Sequence, residues 1–380
     1  MEKEPQLSPV SKTEGGPNIR VVGRVPEEEK EKIRDRVAGF LGENHLGHLS
    51  PEKIEELKKV EIEKSPKQIA AIKLANKINQ EIMKRAGIDP YEVSERNFHV
   101  LPHDYYQENI DSKGSSGTTA QFVQIVGLDE KSVGKSDVYF GSVAYHEMRH
   151  LTSQLALEAQ EKIGVKDGER AFKDDAWRAG ISTYSPYASK EKFHHHLKGL
   201  NEAVVSYGER HFIDALLERP EFEAERAHLA LPEITELKKK IAAEKGVSEE
   251  DVLWVTKPDE KGDYSYYRVS YDQHRNVLDY VMDEILKEMP EDYSSRNEVY
   301  KIFEDANFNG RLLPIARMVE KAFGEGSFRV LGMMEADYNS PIQAIELLRK
   351  KRAGMLRQKI KKGSKEDHQS IAKNKPQGLV

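Results

Sequence analysis

The chain has 380 residues, 38% of them hydrophobic and 33% charged, and a formal net charge of −6. This composition is typical of a soluble, helix-rich protein, and no apolar run approaches the roughly 18 residues of a membrane span. Cysteine is absent, which excludes disulfides, thiolate catalysis and Cys-ligated zinc or iron–sulfur sites. The mild charge argues against nucleic-acid binding across the whole surface. The polar N-terminus shows no secretory signal, so a cytoplasmic location is expected.

The N-terminal quarter divides into a polar tail and a helical segment. Residues 1–25 are rich in Pro, Gly, Ser and charge, which predicts disorder. Helices are predicted over 26–88, where Ser50–Pro51 and Ser65–Pro66 each place an N-cap serine before a proline at the first helical position. The second of these helices carries an apolar stripe and ends at Gly87.

Residues 89–218 have a different texture and are predicted to form the core that carries the functional site. Segments rich in β-branched and aromatic residues lie there between Gly/Ser turns, and two helical patterns follow them. The predicted elements are strands at Asn97–Leu101 and Thr118–Leu128, a long helix over about Ser136–Ile163, an irregular connection over 164–193, and a helix over about Leu197–Glu218.

Residues 219–350 are predicted to form a helical region, because apolar periodic segments follow one another there. The predicted helices are a segment over about Pro220–Lys245 and the segments HRNVLDYVMDEILKEM, LLPIARMVEKAFG and SPIQAIELLRKKRAGML. A basic flexible tail is predicted over 351–380. The stretch Arg349–Lys365 holds nine Lys or Arg and no acid, which indicates a solvated surface, with contact to nucleic acid or another acidic partner as the alternative.

The long helix contains His146-Glu147-Met148-Arg149-His150, which has the H-E-x-x-H spacing. Residues four apart lie on one helix face, so His146 and His150 can direct ring nitrogens at one ion. Zinc suits these ligands, and Glu147 projects beside the ion, where it can act on a water molecule. The alternative is two histidines and a glutamate that share a polar helix face. Arg149 should point away from any metal, because a cation beside Zn²⁺ opposes binding.

A catalytic zinc ion usually has three protein ligands, so two histidines leave the site incomplete. A nearby third histidine is excluded, because Ser153 and Ala156 stand where the longer motif needs Gly and His. A better candidate lies on the second helix, in the sequence Leu200-Asn201-Glu202-Ala203.

The order of strands, H-E-x-x-H helix, connection and Asn-Glu helix resembles the thermolysin-like zinc peptidases, the gluzincins. The resemblance covers residues 97–217 and implies a zincin-like core with a small β-sheet. It also implies that Glu202 is the third zinc ligand, with Asn201 as its usual neighbour.

The sequence departs from the gluzincin pattern in two places. The connection between His150 and Glu202 is longer than in thermolysin. Ser206 stands where the family often has an acid that accepts a hydrogen bond from a zinc-bound histidine, which predicts weaker metal binding unless another group serves.

Several further residues are candidates for supporting roles. His195 and Tyr271 could each donate a hydrogen bond to the oxyanion formed during peptide hydrolysis. Packing of Tyr271 in the core and a pH-sensitive surface cluster around His195 are the alternatives. Glu209 and His211 lie further along the second helix, and Glu209 is interpreted as a surface residue or as a residue that supports a ligand, rather than as a ligand itself. The strand Thr118–Leu128 could present an edge to an extended substrate, or it could be internal.

The patterns predict a mostly helical α+β protein with a zinc site, and the resemblance to the gluzincins implies a zinc metallopeptidase that cleaves a peptide or protein substrate. His146, His150 and Glu202 bind Zn²⁺, and Glu147 acts as general base toward the water on the zinc, with Tyr271 or His195 stabilising the oxyanion. One alternative is a zinc-binding structural or regulatory protein, which the Ser206 departure favours. The other is a helical interaction protein in which the H-E-x-x-H spacing is accidental.

Overall fold

The computed structural model describes residues 17–41, 45–110, 115–161, 172–185 and 194–373. Within them the chain is an α+β protein in which helices dominate and the strands form three small sheets. The helices are α1 (Glu27–Ala38), α2 (Pro51–Val60), α3 (Pro66–Arg85), α4 (His103–Asn109), α5 (Glu130–Val133), α6 (Asp137–Thr152), α7 (Lys198–Leu217), α8 (Glu223–Leu229), α9 (Pro232–Lys245), α10 (Asp272–Glu288), α11 (Arg296–Asn309), α12 (Leu312–Phe323), α13 (Ser327–Gly332) and α14 (Ser340–Lys373). The strands are β1 (Ile19–Val22), β2 (Phe98–Leu101), β3 (Gly117–Ala120), β4 (Ile125–Asp129), β5 (Leu155–Glu161), β6 (Phe172–Ala179), β7 (Ser182–Ser185), β8 (His194–His196), β9 (Val252–Val255) and β10 (Tyr266–Arg268).

Two of the three sheets contact the helix that carries the H-E-x-x-H motif, through β3, β4 and β9. The largest has the order β1-β5-β6-β7-β8, with β1 parallel to β5 and the other neighbours antiparallel. The second has the order β2-β4-β3, in which β4 is parallel to β2 and antiparallel to β3. The third is the antiparallel pair β9 and β10. Strand β3 lies at the edge of its sheet and packs against α6.

The predicted starts of α2 and α3 are confirmed. Ser50 and Ser65 are the N-caps, and each accepts a hydrogen bond from the backbone N–H three residues on. At α3 the side chain of Gln68 also accepts a bond from the Ser65 backbone N–H, which completes a capping box. The strand prediction at residues 97–101 is also confirmed, because β2 spans Phe98–Leu101.

Helix α6 is buried almost all round and packs against both α3 and α7. Its apolar residues belong to a core cluster that also includes residues of α3, β2 and β4. A helix in this position exposes little to water, so its polar side chains need partners inside the protein. The partners of His146, Glu147, Arg149 and His150 therefore define what this helix does.

The largest sheet corrects two predictions. Residues 19–22, inside the predicted disordered tail, form β1, whereas residues 1–16 lie outside the described part of the chain. The long helix ends at Thr152 rather than near residue 163, and β5 follows it. Alternate apolar residues of β5 pack with those of β1 and α1 in a separate cluster, and this period of two suits a strand.

The predicted irregular connection over 164–193 contains strands where it is described. Residues 172–179 and 182–185 form β6 and β7, and residues 162–171 and 186–193 lie outside the described residues. The single strand predicted over 118–128 is instead the hairpin of β3 and β4. Gln124 just before β4 has a positive φ of 54°, which breaks a continuous strand.

The C-terminal region is helical as predicted, with two differences. The segment over 220–245 contains two helices, α8 and α9, because Pro232 holds Leu231 in an extended conformation between them. The flexible tail predicted over 351–380 is wrong as far as Lys373, because α14 continues to that residue. Within the described residues, no helix has both the length and the apolar composition required to cross a membrane.

Candidate metal centre

Two helices that pack side by side, α6 and α7, bring His146, His150 and Glu202 to one point. The Nε2 atoms of the two histidines lie 3.0 Å apart. Glu202 Oε2 lies 3.1 Å from His150 Nε2 and 3.3 Å from His146 Nε2. The three side chains are between 10% and 18% exposed. Among the described residues, this is the one group of three or more potential ligands whose donor atoms converge so closely.

The chemistry of this donor set fits zinc. Zinc–nitrogen and zinc–oxygen bonds of about 2.0–2.1 Å in a tetrahedron place the ligand atoms about 3.3–3.4 Å apart. Of the three observed separations, 3.3 Å lies at the lower end of that range and 3.0 and 3.1 Å lie just below it. Structural zinc sites usually have four protein ligands, whereas three protein ligands leave one position for water or substrate. The described group has three ligands and therefore matches the second kind of site.

The charges in this group are strongly coupled. Burial lowers the pKa of His146, but the carboxylates of Glu209 and Glu202 outweigh burial and hold the pKa well above its usual value. Burial raises the pKa of Glu202, but the two histidines beside it hold the pKa well below its usual value. Two buried carboxylates that face the imidazoles therefore make this point of the protein attractive to a cation.

The other nitrogen of His146 is held by Glu209, which lies on α7 and is 3% exposed. His146 Nδ1 lies 2.8 Å from Glu209 Oε1, and the Ser142 hydroxyl donates a 2.5 Å hydrogen bond to Glu209 Oε2. A carboxylate at Nδ1 fixes the ring so that Nε2 faces His150 and Glu202, and it would make that nitrogen a stronger ligand for a metal ion. The sequence indicates Glu209 as a surface or supporting residue and does not identify His146 as its partner. Its spacing of seven residues from Glu202, two helical turns on the same face, was the available signal.

Ser206 does not take the place of the family's acid. Its hydroxyl donates a 2.7 Å hydrogen bond to the Ser270 carbonyl and accepts a bond from the Arg275 guanidinium. The acid that supports the first histidine is instead Glu209, one turn further along the same helix face. Glu209 is therefore the other group that the prediction at Ser206 left open, because its carboxylate lies beside His146 Nδ1.

The second histidine has its own support from α7. Asn201 Nδ2 lies 3.3 Å from His150 Nδ1. The side-chain oxygen of Asn201, Oδ1, accepts two 3.0 Å hydrogen bonds, one from the Ile181 backbone N–H and one from the Asn307 side-chain amide of α11. Gly180, with a φ of +58°, allows the backbone between β6 and β7 to approach the Asn201 side chain closely. A Cβ atom at position 180 would lie 2.7 Å from Asn201 Oδ1. The loop between β6 and β7 thus helps to place the ligand helix.

Replacing Glu209 with glutamine is expected to weaken zinc binding by about 10–100-fold, because the amide cannot stabilise the His146 ring as a carboxylate does. Competition titration against a chromophoric chelator measures the affinity. Ser206→Ala on the same helix is the matched control and should leave the zinc affinity unchanged. An equal loss in both variants, or in neither, would contradict the assignment of Glu209 as the partner of His146.

Glu147 lies against the edge strand β3 and is 8% exposed. The Thr119 hydroxyl lies 2.7 Å from Glu147 Oε2 and 2.9 Å from the Glu147 carbonyl oxygen, and it can donate to either. Gly117 gives the side chain room, because a Cβ atom at that position would lie 2.9 Å from Glu147 Cγ. Glu147 does not belong to the converging ligand group, so its carboxylate is available for proton transfer.

The structure places Tyr271 against His146 and places His195 against Tyr184. The Tyr271 ring stacks on His146 with 5.8 Å between centroids and an interplanar angle of 11°. Burial, followed by the carboxylates of Glu202 and Glu147, raises the pKa of Tyr271 well above its usual value. The His195 ring contacts Tyr184 edge-on at 4.6 Å, and burial lowers the pKa of His195. The ring contact described for His195 is therefore with Tyr184 rather than with a ligand.

Arg149 points away from the ligands, as the sequence requires. It is fully buried, and its Nη1 lies 2.8 Å from Glu304 Oε1 of α11. Its guanidinium also lies 4.8 Å from the centre of the Phe308 ring. Glu304 pairs with Arg85 of α3 at 2.5 Å as well. Sequence analysis did not place α11, which supplies both Glu304 and the Asn307 that contacts Asn201.

Comparisons with protein-family models, with curated proteins and with solved structures find no match to this chain. The function is therefore argued from the residues of the site themselves.

Proposed function

We propose that this chain is a zinc-dependent metallopeptidase with a gluzincin-type site. The observation that carries the proposal is the convergence of His146, His150 and Glu202 from two helices, with their donor atoms 3.0–3.3 Å apart. Ligands separated by more than fifty residues of sequence do not meet in this way through helix periodicity alone. The support that Glu209 gives to His146 is the kind of contact that zinc-binding histidines make.

A zinc ion held by these ligands supplies Lewis acidity, which polarises a carbonyl group and lowers the pKa of water. Glu147 is the residue placed to accept a proton from the attacking water and to pass it to the leaving amine. Thr119 donates a hydrogen bond to this carboxylate, and Gly117 leaves it space beside β3. The carboxylate is thus oriented before substrate arrives, which limits the entropy lost on reaching the transition state.

Tyr271 is the candidate donor to the oxyanion of the tetrahedral intermediate. Its raised pKa keeps the hydroxyl protonated at neutral pH, so that it can donate a hydrogen bond. A donor fixed in a buried site stabilises developing negative charge more than water does. His195 remains the second candidate, at the position next to Tyr184.

An extended peptide is the substrate class that this site suits best. Among the strands of the described residues, β3 has a partner on one side only, and it lies beside the helix that carries Glu147. A peptide that pairs with such an edge forms backbone hydrogen bonds whatever its sequence, and side-chain pockets then set the preference. Pairing along β3 would hold the scissile bond near Glu147.

The proposal is tested by incubating the purified protein with a mixture of peptides and identifying the products by mass spectrometry. Elemental analysis of the same sample is expected to show about one zinc per chain. Cleavage should stop after treatment with a strong zinc chelator and return when zinc is added. Bound zinc without any cleavage would sink the peptidase assignment, and a protein that binds no zinc would sink the metal site.

A zinc-binding structural or regulatory protein is the second candidate. The burial of the three ligand side chains favours it, because structural zinc sites are closed to solvent. The same two measurements separate the candidates. A structural site predicts bound zinc and a large loss of thermal stability on chelation, with no peptide cleavage.

A further inference from the structure

Tyr271 has a backbone conformation that needs support. It is the N-cap of α10, and its φ of 60° and ψ of 34° lie in the left-handed region. A residue with a Cβ atom adopts this region at a cost in free energy, which neighbouring contacts must offset. The conformation places the Tyr271 ring between His146, on which it stacks, and His274, whose ring meets it edge-on at 5.4 Å.

The contacts that offset this cost converge on the residue before Tyr271. The Ser270 carbonyl accepts a 2.7 Å hydrogen bond from the Ser206 hydroxyl of α7. The same carbonyl accepts a hydrogen bond from the Arg275 guanidinium of α10, which also donates to Ser206. Each of these side chains is fully buried. Two donors from two helices therefore hold one peptide group in place.

Arg275 is itself fixed by a buried carboxylate. Its Nη2 atom lies 2.8 Å from Asp251 Oδ1. Asp251 also accepts two hydrogen bonds from Arg210 of α7, at 2.8 and 2.9 Å. Hydrogen bonds to charged groups in a buried site are strong and directional. The network therefore ties the start of α10 to α7, the helix that carries Glu202.

We propose that Ser206 and Arg275 are positioning residues, which hold Tyr271 in its left-handed conformation with its ring against His146. Ser206 stands where the gluzincins often have an acid that contacts a zinc ligand, and here it acts on the oxyanion donor instead. The effect of Ser206 and Arg275 on turnover rests on the proposed peptidase function, whereas their effect on the backbone conformation of Tyr271 does not.

The effect on turnover is tested with a double-mutant cycle on a peptide that the wild type cleaves. Ser206→Ala is expected to lower kcat by about 10-fold, with KM nearly unchanged and zinc retained, because only the transition state uses the Tyr271 hydroxyl. In a Tyr271→Phe background, Ser206→Ala should cause no further loss. Ser327→Ala is the matched control, since its buried hydroxyl also donates to a backbone carbonyl, far along the chain in α13. Full additivity of the two losses would overturn the proposal.

The backbone constraint is tested by stability alone. Tyr271→Gly should melt about 2 °C above Tyr271→Ala, because glycine adopts a positive φ without the Cβ penalty. This difference should shrink or vanish when Ser206→Ala or Arg275→Lys is added, since the peptide group is then free to leave the left-handed region. The same difference in all backgrounds would overturn the positioning role. Because this measurement needs no substrate, it decides the point even if the chain cleaves no peptide.

Discussion

Replacing Glu147 with glutamine is expected to lower peptide cleavage by about 10²–10⁴-fold while zinc stays bound. The carboxylate lies outside the group of converging ligands, so its loss removes a proton acceptor and not a metal ligand. Glutamine has nearly the same shape and can still contact Thr119, so the local packing should persist. The rate with a defined peptide and the zinc content of the same sample are the two measurements.

Two further variants separate the role of the Glu147 acid from the role of its orientation. Glu147→Asp keeps the acid but shortens the side chain, so it should retain more activity than the glutamine variant. Thr119→Val keeps the acid and removes the hydrogen bond that orients it, and should cause a smaller loss. A glutamine variant that cleaves as fast as the wild type would show that Glu147 is not the base. A variant that loses its zinc would place Glu147 in metal binding instead.

The sequence could predict which side chains share a face within α6 and within α7, because this depends on local periodicity. His146 and His150 are four apart on a helix whose residues are almost all buried. Glu202 lies on a helix that was predicted at nearly its observed bounds, Lys198–Leu217. Within each of these helices, spacing along the chain decides which side chains share a face. The pairing of the two helices came from the resemblance and not from periodicity.

The supporting contacts could not be predicted because they join segments that are distant in sequence. Glu209 reaches His146 across the interface of α6 and α7, and Glu304 reaches Arg149 from more than 150 residues away. Glutamates on helices are usually solvated, and nothing local marks Glu304 as buried. For Glu209 the only local signal is that it shares a helix face with Glu202, and this signal does not identify His146 as its partner. The strand β5 was missed for a related reason. Its short alternating pattern follows α6 directly, and it forms a strand by pairing with β1, which lies more than 130 residues earlier in the chain.

Replacing Glu304 with glutamine is expected to destabilise the protein by about 3–5 kcal/mol, because it leaves the buried Arg149 charge without a counter-ion. Among the described residues, Arg149 forms one ion pair, and its partner is Glu304. Removing the cation instead should cost less. Arg149→Met leaves Glu304 paired with Arg85, and an apolar side chain suits the contact with Phe308. Denaturant unfolding at neutral pH gives both values, and an Arg149→Met variant less stable than Glu304→Gln would contradict this ranking.

The same pair predicts a dependence on pH. Burial raises the pKa of Glu304, but Arg149 and Arg85 outweigh burial and lower the pKa below its usual value of 4.5. A carboxyl group whose pKa is lowered by folding stabilises the native state above its unfolded pKa of about 4.3, and this contribution disappears as the pH falls through the folded value. The difference in the free energy of unfolding between wild type and Glu304→Gln should therefore be largest near pH 7 and should decrease as the pH falls below about 4. Arg149 lies on α6 and pairs with Glu304. A stability difference that stays constant from pH 7 to about pH 3 would therefore mean that Glu304 does not stabilise the buried charge of Arg149.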